Sequence, residues 1–482
     1  MDPPDRKADP PPRATSVLNE PLRGVEARVL DLVRRHGWNA TSYQILQPGF
    51  EYFFVGDDAC VGYVDTGRAW VAAGAPLCDP DQFRPVVDAF LAAARSRGRR
   101  ASFFGTEARF ASQVPLRSLL IGEQAVWEPS LWPQTVARVR SLREQLRRAR
   151  SKGVRVRTAS PHELSQPGSP TGIAVTELVR RWRDRHELAP MGFLVDFDPL
   201  AARADHRLYL AEVDGGKARA PGGAEGAPRL VGLLVAAPIF ARRGWLLQAV
   251  IRAPDAPNGT AELLVDEAMR AAARGDDELV TLGLAPLAGG VASPLRWARA
   301  AGSVLFDFHG LRSFKAKLRP VSWEVVYLSF SRAQGVLPTL LDVLTAFARG
   351  RLLRFGVQTL LRGPAVLVRL LTVALVPWTA ALAAAPAGRW FPHPAVKWAW
   401  VAFDLLLITG MVSLWRGRRW RDWLAGLLLM AVGADAALTT VEALTWNLPR
   451  LSGATESVVV ATAVLAPLLA FAVLWRIRAR RS

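Results

Sequence analysis

From residue 51 to 128 the chain alternates short apolar runs with turn residues. EYFFV (51–55), CVGYVD (60–65) and RAWVAAG (68–74) have strand length and period, and Gly56-Asp57-Asp58 and Thr66-Gly67 punctuate them as hairpin turns. A helix is predicted over 20–35, an amphipathic helix over 81–97, then a buried strand at ASFFG (101–105) and further strand over 116–128. Residues 171–330 repeat that order. A helix over 171–187 precedes strands at RLYLAEV (207–213), RLVGLLVAAPIF (229–240) and WLLQAVIRA (245–253). A helix over 260–274, a strand at ELVTLGL (278–284), a short helix, VLFDF (304–308) and WEVVYLSF (323–330) follow. The repetition predicts two similar α/β lobes, over 20–135 and 158–335. Residues 214–229 (DGGKARAPGGAEGAPR) read as a disordered tip and 1–19 as a disordered, proline-rich tail without an apolar signal segment.

Apolar density rises after residue 363. Residues 370–387 and 457–475 carry no charge, 398–415 carries only Asp404, and 424–444 only Asp435 and Glu442. A span needs roughly 20 apolar residues, so four transmembrane helices are predicted within 370–475. A buried carboxylate in hydrocarbon is expensive unless paired, which singles out those three acids. Arginine sets the orientation. It is dense in the juxtamembrane segment 336–369, in WRGRRWRD (415–422) and in the tail 476–482, and sparse in the two intervening loops. That alternation predicts both termini and the whole region before residue 350 on the cytoplasmic side of a bacterial-type inner membrane.

Composition adds a class of partner. With 61 Lys+Arg against 42 Asp+Glu the formal charge is +19, which predicts polyanionic partners, nucleic acid or an anionic membrane surface. Two cysteines imply no disulfide framework, and no His/Cys cluster has metal-ligand spacing, so no metal site is expected. The charge concentrates in two places. Residues 136–157 form a basic linker helix with a narrow apolar stripe at Leu142, Leu146 and Ala149. Between 138 and 157 it holds nine cations against Glu144 alone. Arg143, Arg147, Arg148, Arg150 and Lys152 are therefore candidate phosphate contacts. The second place is FHGLRSFKAKLRP (308–320), where Arg312, Lys315 and Arg319 fall at i, i+3 and i+7 and predict one cationic helix face.

Five stretches in order resemble the C-terminal catalytic domain of the phosphatidylglycerol lysyltransferase family. They are SLREQLRRARSKGVRV, MGFLVDFDP (191–199), VIRAPDAPNGTAELL (250–264), LGLAPLAG (282–289) and FDFHGLRSFKAKLRPVSWEVVYLSF (306–330). The resemblance covers roughly residues 20–335. It implies tandem acetyltransferase-like (GNAT) lobes and transfer of an aminoacyl group from a charged tRNA to the hydroxyl of a membrane lipid headgroup. Aminoacyl-tRNA would be co-substrate, with no other cofactor, because ester exchange needs neither ATP nor metal. This chain departs from the family in three ways. The N-terminal membrane bundle that carries lipid flipping is replaced by C-terminal spans. The acid three residues before Arg252 is Ala249. No carboxylate lies between Leu284 and Asp307.

Such chemistry needs alignment of hydroxyl and ester, an oxyanion stabiliser and one proton transfer. The candidates are Arg252 at a strand end, with Asp307 or His309 as base. Asp255 and Glu262 are candidates for the substrate ammonium, Asn258 lies in the same loop, and Arg312, Lys315 and Lys317 are candidates for phosphate. Trp323 and Tyr327 read as core. A coenzyme-A-dependent N-acetyltransferase is disfavoured because RAPDAPNGTA has two prolines where pyrophosphate-cradling amides would be needed. A degenerate membrane protein that only binds tRNA or anionic lipid is the other alternative.

Overall fold

The computed structural model describes residues 22–166, 168–184, 189–195, 197–214, 228–286, 308–362, 364–416, 421–450 and 453–479. The expected tail, the 214–229 tip, the acid-free stretch after Leu284 and Asp307 fall wholly or mainly outside these residues. Two compact units emerge: residues 22–184 and 190–352 in the first, and Leu353 onward in the second.

The first unit is built on one mixed sheet of eleven strands. β1 (Glu51–Val55), β2 (Ala59–Asp65), β3 (Ala69–Ala73), β4 (Arg100–Glu107), β5 (Arg117–Trp127) and β6 (Arg155–Ala159) come from the first half. β7 (Arg207–Val213), β8 (Arg229–Ile239), β9 (Gly244–Arg252), β10 (Leu279–Pro286) and β11 (Ser322–Phe330) come from the second. Their spatial order is β1-β2-β3-β4-β11-β5-β10-β9-β8-β7-β6. The α/β class expected from the strand and helix periods is therefore found. The order of strands is not sequential, however. β11 leaves the second half and pairs antiparallel with both β4 and β5, so a single sheet runs through both repeats.

Six helices position the site: α1 (Leu22–His36), α2 (Phe83–Ser96), α3 (Arg140–Ser151), α4 (Pro170–Asp184), α5 (Thr260–Arg274) and α6 (Phe308–Lys317). α5 coincides with its predicted span because glycines bracket it. Gly259, at φ +93°, caps its start, and Gly275 its end. The single linker helix expected over 136–157 is corrected to three elements: the end of a short helix Trp132–Arg138, helix α3 and strand β6. The chain breaks at Val139, in extended conformation, and again after Ser151. Helix α3 ends at Ser151, and the remaining cations Arg155 and Arg157 lie on β6, an edge strand paired with β7. Leu142, Leu146 and Ala149 are buried as the apolar stripe predicted. They join Trp127, Trp132 and the inner residues of β7, β8 and α5 in one core. A second core gathers α1, β11 and the helix α7 (Val336–Phe347), and a third lies under α2.

The second unit is helical: α8 (Pro364–Ala384), α9 (Pro394–Arg416), α10 (Arg421–Glu442) and α11 (Ala454–Ala479). Among the described residues, Pro394–Leu414 and Trp423–Arg450 are long and apolar enough to cross a membrane, while Leu370–Ala384 and Glu456–Ala472 are shorter apolar helices. The three acids face inward and line one cavity of about 400 Å³. Asp404 accepts from the Thr379 hydroxyl (3.1 Å), Asp435 from Thr439 (3.0 Å) and Glu442 from the Trp400 indole N–H (2.9 Å). A neutral donor thus meets one oxygen of each acid, while the other oxygen of Glu442 is buried without a partner among the described residues.

Candidate functional site

The two parallel strand pairs of the sheet part in the same way. β4 lies beside β3 as far as Phe104, and β10 lies beside β9 only from Leu279↔Gly244 to Thr281↔Leu246. Just beyond each pairing stands a left-handed glycine, Gly105 (φ +84°) or Gly283 (φ +67°), where the strand swings to its other neighbour through a bulge. At Gly283 the bulge is held by the Thr281 hydroxyl, which accepts from the Gly283 N–H (3.0 Å) and donates to the Ala125 carbonyl (2.8 Å).

In the first half, residues 39–46 fill the parting. The Asn39 side chain accepts from the Ala75 N–H (3.0 Å), and the Thr41 methyl stands 3.4 Å from where a Cβ on Gly105 would sit. In the second half no described strand pairs with β9 on that side from Gln248 to Arg252, where Gln248, Ala249 and Val250 are half-buried, Ile251 is buried and Arg252 is exposed. Gln248 is itself a bulge residue, between the pairs Ala236↔Leu247 and Val235↔Ala249. Its amide nitrogen and oxygen are both buried and, among the described residues, neither has a partner; the same holds for the Trp245 indole N–H. Each orphaned buried polar atom costs about 1–3 kcal/mol, so this wedge is a place where a ligand's donors and acceptors would be welcome.

Lys315 is deeply buried against the same bulge. Its ammonium donates to the carbonyls of Leu282 (2.9 Å), Gly283 (2.7 Å) and Leu284 (2.9 Å). Burial lowers its pKa to about 7. The expected cationic face of α6 is thereby corrected. Lys315 points into the sheet because three consecutive carbonyls, freed by the bulge, match its three N–H groups. Arg319 lies past the helix end at φ +53°. Arg312 lies over the Trp323 ring (4.7 Å) and reaches Glu123 (3.5 Å), so Trp323 serves as a stacking platform as well as core. Lys317 is exposed, and His309 occupies the first turn of α6.

The mouth of the wedge lies where β9 ends. Arg252 is exposed and, among the described residues, has no ion pair. Three residues on, Asp255 accepts from Arg181 (2.7 Å) and Arg229 (2.6 Å). Burial works to raise its pKa, but these arginines outweigh it and hold the carboxyl below its usual range. Asn258 is exposed and Glu262 half-buried on the first turn of α5. That helix start is crowded. A Cβ on Gly259 would lie 2.2 Å from the Gln145 carbonyl of α3, so only glycine permits the approach.

The linker cations divide. Arg143 donates to the Val136 and Ala137 carbonyls, which cap the short helix Trp132–Arg138. Arg147 and Arg148 share Glu144 at 2.8 and 2.7 Å, holding its pKa down at about 2. Arg150 reaches across to Asp266 on α5. Two carboxylates thus take three of the cations, and one of those carboxylates is supplied from far along the chain. Lys152 caps the end of α3 and is exposed.

One polar cluster escaped the sequence reading. Arg242 forks onto Glu324 at 2.9 and 2.7 Å, and the Gln124 amide donates to both Glu324 (2.8 Å) and Glu107 (3.1 Å). Burial raises the pKa of Glu107, opposed by Arg242 and reinforced by Glu324. Neighbours alternate across β5, so this cluster occupies the face opposite Glu123 and α6. No local pattern announces it, since its members come from four separated segments.

Comparison with known proteins places this geometry. The chain is 29% identical over 231 residues to the lysylphosphatidylglycerol biosynthesis bifunctional protein LysX of Mycobacterium sp. (strain JLS), covering 45% of this chain and 20% of that protein. The corresponding protein of Mycobacterium sp. (strain KMS) is 30% identical over 232 residues, with the same coverage. The match spans about a fifth of the length of these curated relatives. Two solved structures share the fold. The C-terminal domain of a protein described as a lysylphosphatidylglycerol synthetase from Agrobacterium fabrum superposes with a TM-score of 0.54 at 22% identity, over 68% of this chain and 98% of that one. L-PGS from Bacillus licheniformis gives 0.54 at 20% identity, over 67% and 96%. Residues 30–330, well over half of the sequence, match the phosphatidylglycerol lysyltransferase C-terminal family, and the chain belongs to that family.

Proposed function

We propose that this chain is a membrane-bound aminoacyltransferase that moves an aminoacyl group from a charged tRNA to the headgroup hydroxyl of a lipid such as phosphatidylglycerol. The observation that carries this reading is the parting of β9 from β10 after Thr281, with the buried Gln248 amide, unpartnered among the described residues, on β9 and the exposed Arg252 at that strand's end. An aminoacyl ester is already activated, so the protein must align it with the lipid hydroxyl, steady the oxyanion and move one proton. In this reading Arg252 steadies the developing anion and Gln248 grips the aminoacyl carbonyl or amine. Asp255 is taken up by Arg181 and Arg229 and orders the loop, which leaves Glu262, with Asn258, to attract the α-ammonium. Lys315 supports the β10 bulge from behind. Arg312 and Lys317 meet phosphate, and Asp307 or His309 supplies the base. The exposed cations of α3 guide the tRNA. Aminoacyl-tRNA is the co-substrate, and no further cofactor is invoked.

The same proposal places four helices of the second unit across the inner membrane, with the sheet and both termini in the cytoplasm, where charged tRNA resides. Transfer of a cationic aminoacyl group there would lower the negative charge of the membrane surface. The test is thin-layer chromatography of lipids from cells with and without the protein, followed by assay with tRNA pools charged one amino acid at a time. A new ninhydrin-positive phospholipid that requires one charged tRNA is the expected result. Unchanged lipids in cells that make the folded protein would reject it.

A further inference from the structure

Helix α7 (Val336–Phe347) turns one face to the second core, where Val343 and Ala346 are buried and Asp342 forks onto Arg100 at 2.6 and 2.7 Å. Its other face is apolar too. Leu337, Leu341 and Leu344 fall at i, i+4 and i+7 and are 68%, 47% and 54% exposed. A surface helix of a soluble body normally carries polar residues there. The rest of the first unit does follow that rule. Among the described residues its exposed large apolar side chains are Ile173, Val195, Val321, Leu337, Leu341, Leu344 and Leu352, so four of seven lie between 337 and 352.

Two further observations identify what covers the stripe. The chain passes from α7 within a few residues to the unit that holds the long apolar helices. In addition, residues 331–369 contain six arginines (332, 349, 351, 354, 362 and 369) and a single acid, Asp342, already buried against Arg100. An apolar stripe bordered by arginine and tethered to spans has the composition of an interfacial helix on an anionic leaflet. We infer that the Leu337–Leu341–Leu344 face of α7 lies in the headgroup region of an anionic bilayer and holds the catalytic sheet against the membrane surface. This rests on the membrane placement proposed above.

The experiment uses the full chain in nanodiscs of phosphatidylglycerol and phosphatidylcholine. Leu341→Cys, and separately Leu344→Cys, carries a nitrobenzoxadiazole probe. Cys60 and Cys78 are buried, and unsubstituted protein taken through the same labelling supplies the background. Probes at Asp88→Cys, on the exposed side of α2, and at Leu406→Cys, on the exposed side of α9, report water and lipid respectively. The expected result is blue-shifted emission at 341 and 344, quenched several-fold more by shallow nitroxide lipids than at 88 and shielded from iodide. Iodide access equal to that at 88 overturns the inference, as does shielding from both quenchers, which would mean that a second protein copy covers the leucines. If 406 is quenched by deep nitroxide lipid while 341 is not, only the docking helix fails. If 406 is not quenched either, the membrane placement itself fails.

Discussion

Arg150 on the linker helix donates to Asp266 on α5 across 2.8 Å, and the carboxylate it meets has no exposed surface. Asp266 also accepts from the Trp132 indole (2.9 Å) and from Arg270 (3.0 Å), so linker and catalytic lobe share one buried acceptor. Asp266→Ala strands the indole N–H and is expected to cost on the order of 3 kcal/mol. Arg150→Met leaves two donors in place, and its loss should be about 1 kcal/mol. Denaturant titration of the full chain in detergent separates the two; equal losses would refute the shared-acceptor account.

Arg252→Ala is expected to remove the aminoacyl-lipid product while leaving the melting temperature unchanged, because the side chain is exposed and makes no ion pair among the described residues. Full activity in that variant, measured by the chromatographic assay, would take Arg252 out of the site.

Gln248→Leu keeps the shape and deletes both unpartnered amide atoms. Stability should hold or rise, since no hydrogen bond is lost, whereas kcat/KM should fall roughly ten- to hundredfold as one or two ligand contacts of 1–3 kcal/mol disappear. Parallel melting and kinetic measurements check this. A drop in stability with unchanged kinetics would assign Gln248 to packing.

Much of the architecture could be anticipated from period and punctuation, and the partial failures share a cause. The hairpin β1–β2–β3 and helix α5 are local, and each is bounded by glycine or by Asp-rich turns. The insertion of β11 between β4 and β5 depends on contacts with partners some 200 residues away in sequence, which alternation cannot encode. Bulges are equally silent. Gln248 and Gly283 look like ordinary strand residues until their partners are known. Lys315 deceived for a different reason. Helical spacing placed it among cations, but the carbonyls that draw it inward exist only because β10 bends. The linker helix is short of acids within its own sequence, and Asp266, which pairs with Arg150, lies more than a hundred residues on.

The Lys315 amine titrates near 7 when folded and near its ordinary 10.5 when unfolded. Between those values the unfolded chain binds the extra proton, so stability should increase as pH rises from 7 toward 9.5, by on the order of 1 kcal/mol per pH unit. Lys315→Met should lack that increase. Melting curves for both proteins across the window test the sign; parallel curves would show that the lysine keeps its proton.

For the linker, Arg147→Gln with Arg148→Gln and Lys152→Gln should leave stability within roughly 0.5 kcal/mol, since the pairs with Glu144 are solvated. The affinity for tRNA should fall, and the slope of log Kd against log salt should flatten by roughly 1 for each phosphate contact removed. Unchanged slopes would place the nucleic acid elsewhere.

Because β11 completes the sheet from within, neither repeat can finish folding by itself during translation. β4 and β5 must wait, their facing edges unpaired, until residue 330 has left the ribosome. Among the described residues, the helices long and apolar enough to cross a membrane, Pro394–Leu414 and Trp423–Arg450, both lie downstream of Phe330. Every strand of the sheet is therefore made before those helices are, and a polypeptide released before Phe330 would present an open seam to chaperones and to its own kind.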